Sequence, residues 1–259
     1  MEEMQELFLL FIVGILSGIF GALLGLGGGF ILIPALTIVL GLPMHQAIGI
    51  SLISVIATST GAASLYVREG KADIRLGMVL ELSTTIGAIA GALIANMVDG
   101  STLQILFGLL LLYNAVSMVR HREAAAASVN SAGRYSRLPA GLAASGLAGV
   151  LSGLLGIGGG LIKIPAMYIL MGVPLKRAVA TSNFMIGVTA SASGFIFFFR
   201  GLIDPVTAAP SALGVFLGAR LGTRFNDKIS VAGLKKVFVV IFLYLAADMI
   251  LKGLGVKPW

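Results

Sequence analysis

The chain has 259 residues, 58% hydrophobic and 11% charged, against roughly 45–50% and about 25% in soluble domains, which excludes an ordinary soluble protein. The net charge of +7 fits the lysine and arginine excess of cytoplasmic loops, and no nucleic-acid-binding motif accompanies it. Cysteine is absent, which excludes disulfides, thiol catalysis and zinc–thiolate sites.

Apolar runs near or above the roughly 18–20 residues needed to cross a bilayer recur along the chain. They predict an all-α polytopic membrane protein whose first partner is the lipid bilayer. The start of the chain carries Glu2, Glu3 and Glu6, the wrong flank for a secretory signal peptide, so the first run reads as mature sequence. Five apolar segments come first, at about 7–25, 29–41, 47–67, 76–97 and 102–119. Five more follow at 138–156, 160–172, 178–199, 206–223 and 232–252. Between them, 120–137 carries Arg120, His121, Arg122, Arg134 and Arg137 and reads as an exposed cytoplasmic linker. Residues 1–119 and 138–259 are thereby expected to be two repeats of one membrane domain.

Shifted by 131 positions, residues 25–47 match 156–178 at twelve of 23 places, the mark of an internal duplication. The strongest identity is Gly25, Gly27, Gly28, Gly29 and Pro34 against Gly156, Gly158, Gly159, Gly160 and Pro165. Further on, Ser51 pairs with Ser182, Thr58 with Thr189, Gly70 with Gly201 and Asp73 with Asp204. Three glycines in a row raise the cost of helix and strip a whole turn of side chains. Each repeat is therefore expected to open with a broken helical hairpin, as two tilted spans or a re-entrant pair. Either form returns the chain to its starting side, so three further crossings invert the second repeat.

Basic residues alternate as inversion requires. The loop near 68–75 holds Arg68, Lys71 and Arg75 where its mate keeps Arg200, while Arg220, Arg224, Lys228, Lys235 and Lys236 have no counterparts near 98–101. With the linker inside, both termini fall outside. Inverted repeats with interrupted helices are the plan of many secondary transporters, whose sites lie where the halves meet.

Non-helical backbone survives at membrane depth only when buried in protein or facing water. Gly27, Gly28 and Gly29, with Gly158, Gly159 and Gly160, open short helices, so their N–H groups and the helix dipoles suit an anion. Gly14/Gly18, Gly87/Gly91, Gly149/Gly153 and Gly214/Gly218/Gly222 have the spacing of close helix crossings instead. Ser51, Thr58, Ser182, Asn183 and Thr189 offer uncharged donors to an oxyanion, although such residues in membrane helices also bond backbone carbonyls. Lys163 could add positive charge to a bound anion or snorkel to the surface. Glu81 could couple proton movement, but its place near a helix start favours the interface, as for Asp248; His45 reads as an ordinary loop residue. No constellation suggests catalysis, a metal or a cofactor.

The duplicated Leu-Gly-x-Gly-Gly-Gly and Pro pattern, with Gly-x-Pro and Ala-x-x-x-Ser after it, resembles the sulfite exporter TauE/SafE family of membrane permeases across essentially the whole chain. That resemblance implies transport of sulfur oxyanions or organosulfonates across a bacterial or archaeal cytoplasmic membrane, driven by an ion gradient. The family motif falls on Gly25, Gly27 to Gly29 and Pro34, and on Gly156, Gly158 to Gly160 and Pro165. Lys163 and Asn183 stand where the first repeat has leucine and are expected to tune the substrate. The resulting expectation is a secondary transporter of a small anion, with a coupling proton or sodium ion, working by alternating access. A carboxylate as cargo, or an anion channel, is the alternative.

Overall fold

In a computed structural model, residues 2–120, 137–225 and 231–256 are described, and every regular element among them is helical. The expected linker, apart from its ends at Arg120 and Arg137, lies outside the described residues, as does Lys228. The first half comprises α1 (Glu2–Leu24), α2 (Gly29–Ile38), α3 (Met44–Arg68), α4 (Ile74–Ala95) and α5 (Gly100–Arg120). The second comprises α6 (Leu138–Leu155), α7 (Gly160–Pro165), α8 (Leu175–Phe199), α9 (Pro205–Phe225) and α10 (Val231–Gly253). After Pro165, α7 widens into a π-helical turn over Ala166–Leu170, closed by the Met171 N–H donating to the Ala166 carbonyl at 3.2 Å. Among the described residues, six helices (α1, α3, α4, α5, α6 and α8) are long and apolar enough to cross a bilayer. This is a multi-pass membrane protein.

Several residues that the two halves share outside the glycine runs sit at helix ends. Gly41 and Gly172, and Gly70 and Gly201, have φ between +63° and +69°, the left-handed conformation that stops a helix. Pro43 and Pro174 stand just before α3 and α8. Asp73 caps α4 by accepting from the Leu76 N–H at 3.1 Å, and Asp204 accepts from the Thr207 N–H at 3.1 Å at the start of α9.

Packing reaches across the halves. α1 runs parallel to α9, with Gly14 against Ser211, Gly18 against Val215 and Gly222 against Ile19. The corresponding pair, α6 with α4, does the same through Gly87 against Gly146, Gly91 against Val150 and Gly153 against Ala88. At each contact a Cβ would strike a carbonyl or Cα of the facing backbone, so these glycines exist for close approach. The mates α3 and α8 run antiparallel to each other, Ser59 lying beside Asn183 and Leu52 beside Gly194. So do α5 and α10, with Gly108 beside Ile250 and Gly253 beside Ser101 and Ile105. Phe30 of α2 stands edge-on to Phe242 of α10, ring centroids 5.2 Å apart, tying a hairpin into the core. Large apolar side chains such as Phe8, Leu82, Ile86, Phe195 and Leu213 face outward, as a lipid-facing surface requires.

Candidate functional site

Both hairpins form. After α1 the chain doubles back so that Gly28 lies beside Ser17 and Gly21. α2 has ten residues, about 15 Å at 1.5 Å per residue, or half of a hydrocarbon layer about 30 Å thick. Of the two hairpin forms expected, this is the one with a short inner arm. The left-handed residues that begin α2 and α7 are Gly28 at φ +75° and Gly159 at φ +77°, and neither helix has a side-chain cap.

The two glycine turns lie side by side and antiparallel. Gly29 abuts the Gly156 carbonyl, Gly160 abuts the Gly25 carbonyl, and Gly27 and Gly158 both meet Val55 and Ile186. Val55 and Ile186 are themselves repeat mates, at the midpoints of α3 and α8. The turns therefore cross at the centre of the molecule, and all six glycines expected at the site are buried there.

Hydroxyls hold the carbonyl side of these turns. Ser51 Oγ donates to the Gly156 carbonyl and Ser182 Oγ to the Gly25 carbonyl, each at 2.7 Å and each across the halves. Thr58 Oγ1 donates to the Gly27 carbonyl at 3.0 Å, and Ser17 Oγ to the Gly28 carbonyl at 2.5 Å. Asn183 Nδ2 donates to the Ala22 carbonyl at 3.0 Å, while its buried Oδ1 has no partner among the described residues. Of the hydroxyls expected to donate to an anion, Ser51, Ser182 and Thr58 thus spend their hydrogen on the turns, and Thr189 spends its own on Glu81. Among the described residues the N–H groups of Gly27, Gly28, Gly158 and Gly159 reach no backbone carbonyl. With the Gly25, Gly27, Gly28 and Gly156 carbonyls held, the amides of Gly27, Gly28, Gly158 and Gly159 remain to be satisfied, and a buried unpaired N–H is costly.

Removing one strut should show this directly. Ser51→Ala or Ser182→Ala strands a buried carbonyl and is expected to cost about 1–3 kcal/mol each, read as a lower melting temperature of the purified protein. An unchanged melting temperature would mean that the carbonyls do not depend on these hydroxyls.

Lys163 neither snorkels nor stands free. It is fully buried, with Nζ 2.7 Å from Thr189 Oγ1 and 3.1 Å from Glu81 Oε2, and Thr189 Oγ1 donates to Glu81 Oε1. Glu81, expected at the interface, is 6% exposed, because α4 packs along α6 and α8 and carries it inward. A signal was present in the duplication: the mates of Lys163 and Glu81 are the apolar Leu32 and Ala212, so each half contributes one charge that the other half lacks, and the two are of opposite sign. Two other expectations also change. His45 is not in a loop but in the first turn of α3, with Nε2 3.0 Å from the Ala95 carbonyl at the end of α4 and 3.0 Å from the Val98 carbonyl just beyond it. Asp248 is buried between α10 and its neighbours, 3.7 Å from Lys252 one turn on.

The family model described as "Sulfite exporter TauE/SafE" matches residues 10–249. The probable membrane transporter protein YunE of Bacillus subtilis is 25% identical, over 95% of this chain and 98% of its own length. A probable membrane transporter protein of Methanocaldococcus jannaschii is 32% identical, over 86% of this chain and 87% of its own. YdhB of Bacillus subtilis, also described as a probable membrane transporter protein, is 28% identical over 86% and 90%. No solved structure matches the chain.

Proposed function

Because the chain belongs to the sulfite exporter TauE/SafE family of membrane transporters, we propose that it moves a small sulfur oxyanion or organosulfonate across the cytoplasmic membrane by alternating access. The observation that carries this reading is the pair of crossed glycine turns, each with a carbonyl held by a hydroxyl from the other half and, among the described residues, with the amides of Gly27, Gly28, Gly158 and Gly159 reaching no backbone carbonyl. Sulfite and a sulfonate group each present three acceptor oxygens on sulfur and need several donors without a large desolvation cost. Backbone amides and the starts of two short helices supply that. Gly27, Gly28, Gly29, Gly158, Gly159 and Gly160 are the binding residues in this account. Ser51, Ser182, Thr58 and Asn183 position the turns. Lys163, held by Glu81 and Thr189 beside the second turn, makes the two sides of the site unequal.

The antiparallel pairing of α3 with α8 and α5 with α10 supports inverted halves that rock against each other around the crossing. The test is uptake into vesicles of the purified protein, together with its melting temperature in graded sulfite, 2-hydroxyethanesulfonate and acetate. A ligand that binds only the folded form stabilises it by about 2.7 kcal/mol at a hundredfold excess over Kd. Stabilisation and uptake with the sulfur anions are expected. A response to acetate alone would make the cargo a carboxylate, and conduction without coupling to any ion gradient would make the protein a channel.

A further inference from the structure

The cluster of Glu81, Lys163 and Thr189 breaks the internal symmetry. In the first half the place of Lys163 is taken by the fully buried Leu32, and Thr58, the mate of Thr189, bonds the glycine turn instead of a charge. Packing of a repeat therefore does not require an ion pair at this position. The pair also adjoins the proposed anion site, since Lys163 Cε lies 3.3 Å from where a Cβ on Gly159 would stand. We propose that Glu81 is the proton carrier of the transport cycle and competes with the anion for Lys163. With no anion bound, the Glu81 carboxylate occupies the ammonium. A proton taken up on a Glu81 carboxylate oxygen releases the ammonium, which then pairs with the anion at the second glycine turn. The proposal rests on the glycine turns being the anion site.

Charge balance makes the coupling obligatory. The resting cluster is neutral, with one ammonium and one carboxylate. A monovalent anion alone would leave a net negative charge buried, and a proton alone would leave Lys163 unpaired; both are costly away from water. Proton and anion together keep the cluster neutral, and the one bond formed is the O–H bond on Glu81. No other ionisable group among the described residues stands close enough to take over this role. On α4, Thr85 Oγ1 lies 3.4 Å from Glu81 Oε1, and Arg75 is exposed at the helix start. Over Leu138–Leu155, α6 has no titratable side chain, and on α8 Lys176 and Arg177 are exposed in the first turn. Beyond Lys163, the α7 segment adds the half-buried Tyr168 in its π turn. The cycle thus carries one proton with each monovalent anion, in the same direction and without net charge. Export of an anion against its own gradient would then require an outward proton gradient.

The experiment uses the full chain in vesicles loaded with a pH-sensitive dye. The probe is 2-hydroxyethanesulfonate, which has no titratable proton near neutral pH, and sulfite is a second probe. Wild type is expected to move one proton per sulfonate at a rate indifferent to an imposed membrane potential. Glu81→Gln, prepared with the probe present, is expected to lose anion-driven proton movement at least tenfold. Its exchange of labelled for unlabelled probe should persist and should no longer slow as pH rises. Sulfonate flux without protons, flux that follows the membrane potential, or undiminished proton movement in Glu81→Gln would overturn the proposal and leave the anion site standing. Flux of neither probe would overturn the reading of sulfur anions as cargo, and this proposal for their transport with it. Should the variant not fold, the wild-type stoichiometry and voltage response decide by themselves.

Discussion

Alanine at Gly160 is expected to reduce transport at least tenfold while the protein still inserts and folds. The added Cβ would collide with the Gly25 carbonyl oxygen of the other turn and stand 2.9 Å from Leu26 Cα. Both are backbone atoms, so no rotamer change relieves the contact. Gly29→Ala meets the mirror obstacle, 2.7 Å from the Gly156 carbonyl and 2.5 Å from Ser51 Oγ. Helix propensity acts the other way, since alanine in place of glycine favours a helix by about 0.8–1.0 kcal/mol. Overpacking costs about 1–3 kcal/mol and wins, by pushing the two turns apart. Gly70→Ala and Gly201→Ala are the controls: φ is +64° and +69°, and no atom lies within 4 Å of the added Cβ. They should cost about 1–2 kcal/mol through the left-handed backbone alone. Both pairs thus lose comparable stability, but only the Gly29 and Gly160 variants should lose uptake. Equal uptake across all four would remove the glycine crossing from the transport path.

Lys163→Met should have the largest effect on stability of any single change considered. It leaves the Glu81 carboxylate buried without its cation, a loss of about 3–5 kcal/mol for a broken buried pair. Replacing both partners, Glu81→Gln with Lys163→Met, removes the uncompensated charge and is expected to recover most of that loss. Thr189 can then donate to the oxygen of the amide that replaces the carboxylate. The melting temperatures of wild type, both single variants and the double variant form the cycle that measures the coupling. A double variant as unstable as Lys163→Met would show that the lysine stem, rather than the pair, is what the core needs. Transport should not return with stability, because the restored protein has no ammonium at the second turn.

Much of this protein was legible in the order of its residues. Hydrophobic length alone marks out spanning helices, because a bilayer demands that every backbone group be satisfied within its own segment. The segment limits at 29–41 and 160–172 anticipate α2 and the α7 segment closely, because glycine runs and the Gly-x-Pro that follows are local stops that need no distant partner. Membership of the family was legible too, since the glycine pattern that carries it is contiguous. What the linear chain could not decide is which polar groups meet across it. Ser51 reaches Gly156, and Lys163 reaches Glu81, over 105 and 82 positions. Whether a hydroxyl braces a carbonyl or faces a ligand, and whether a buried lysine stands free or paired, depends on how interlocked helices bring their faces together. Composition sets a chain's solvent and local spacing sets its breaks, but a charge or hydroxyl in a low-dielectric interior takes its role from the nearest opposite group, and only the tertiary fold supplies that neighbour.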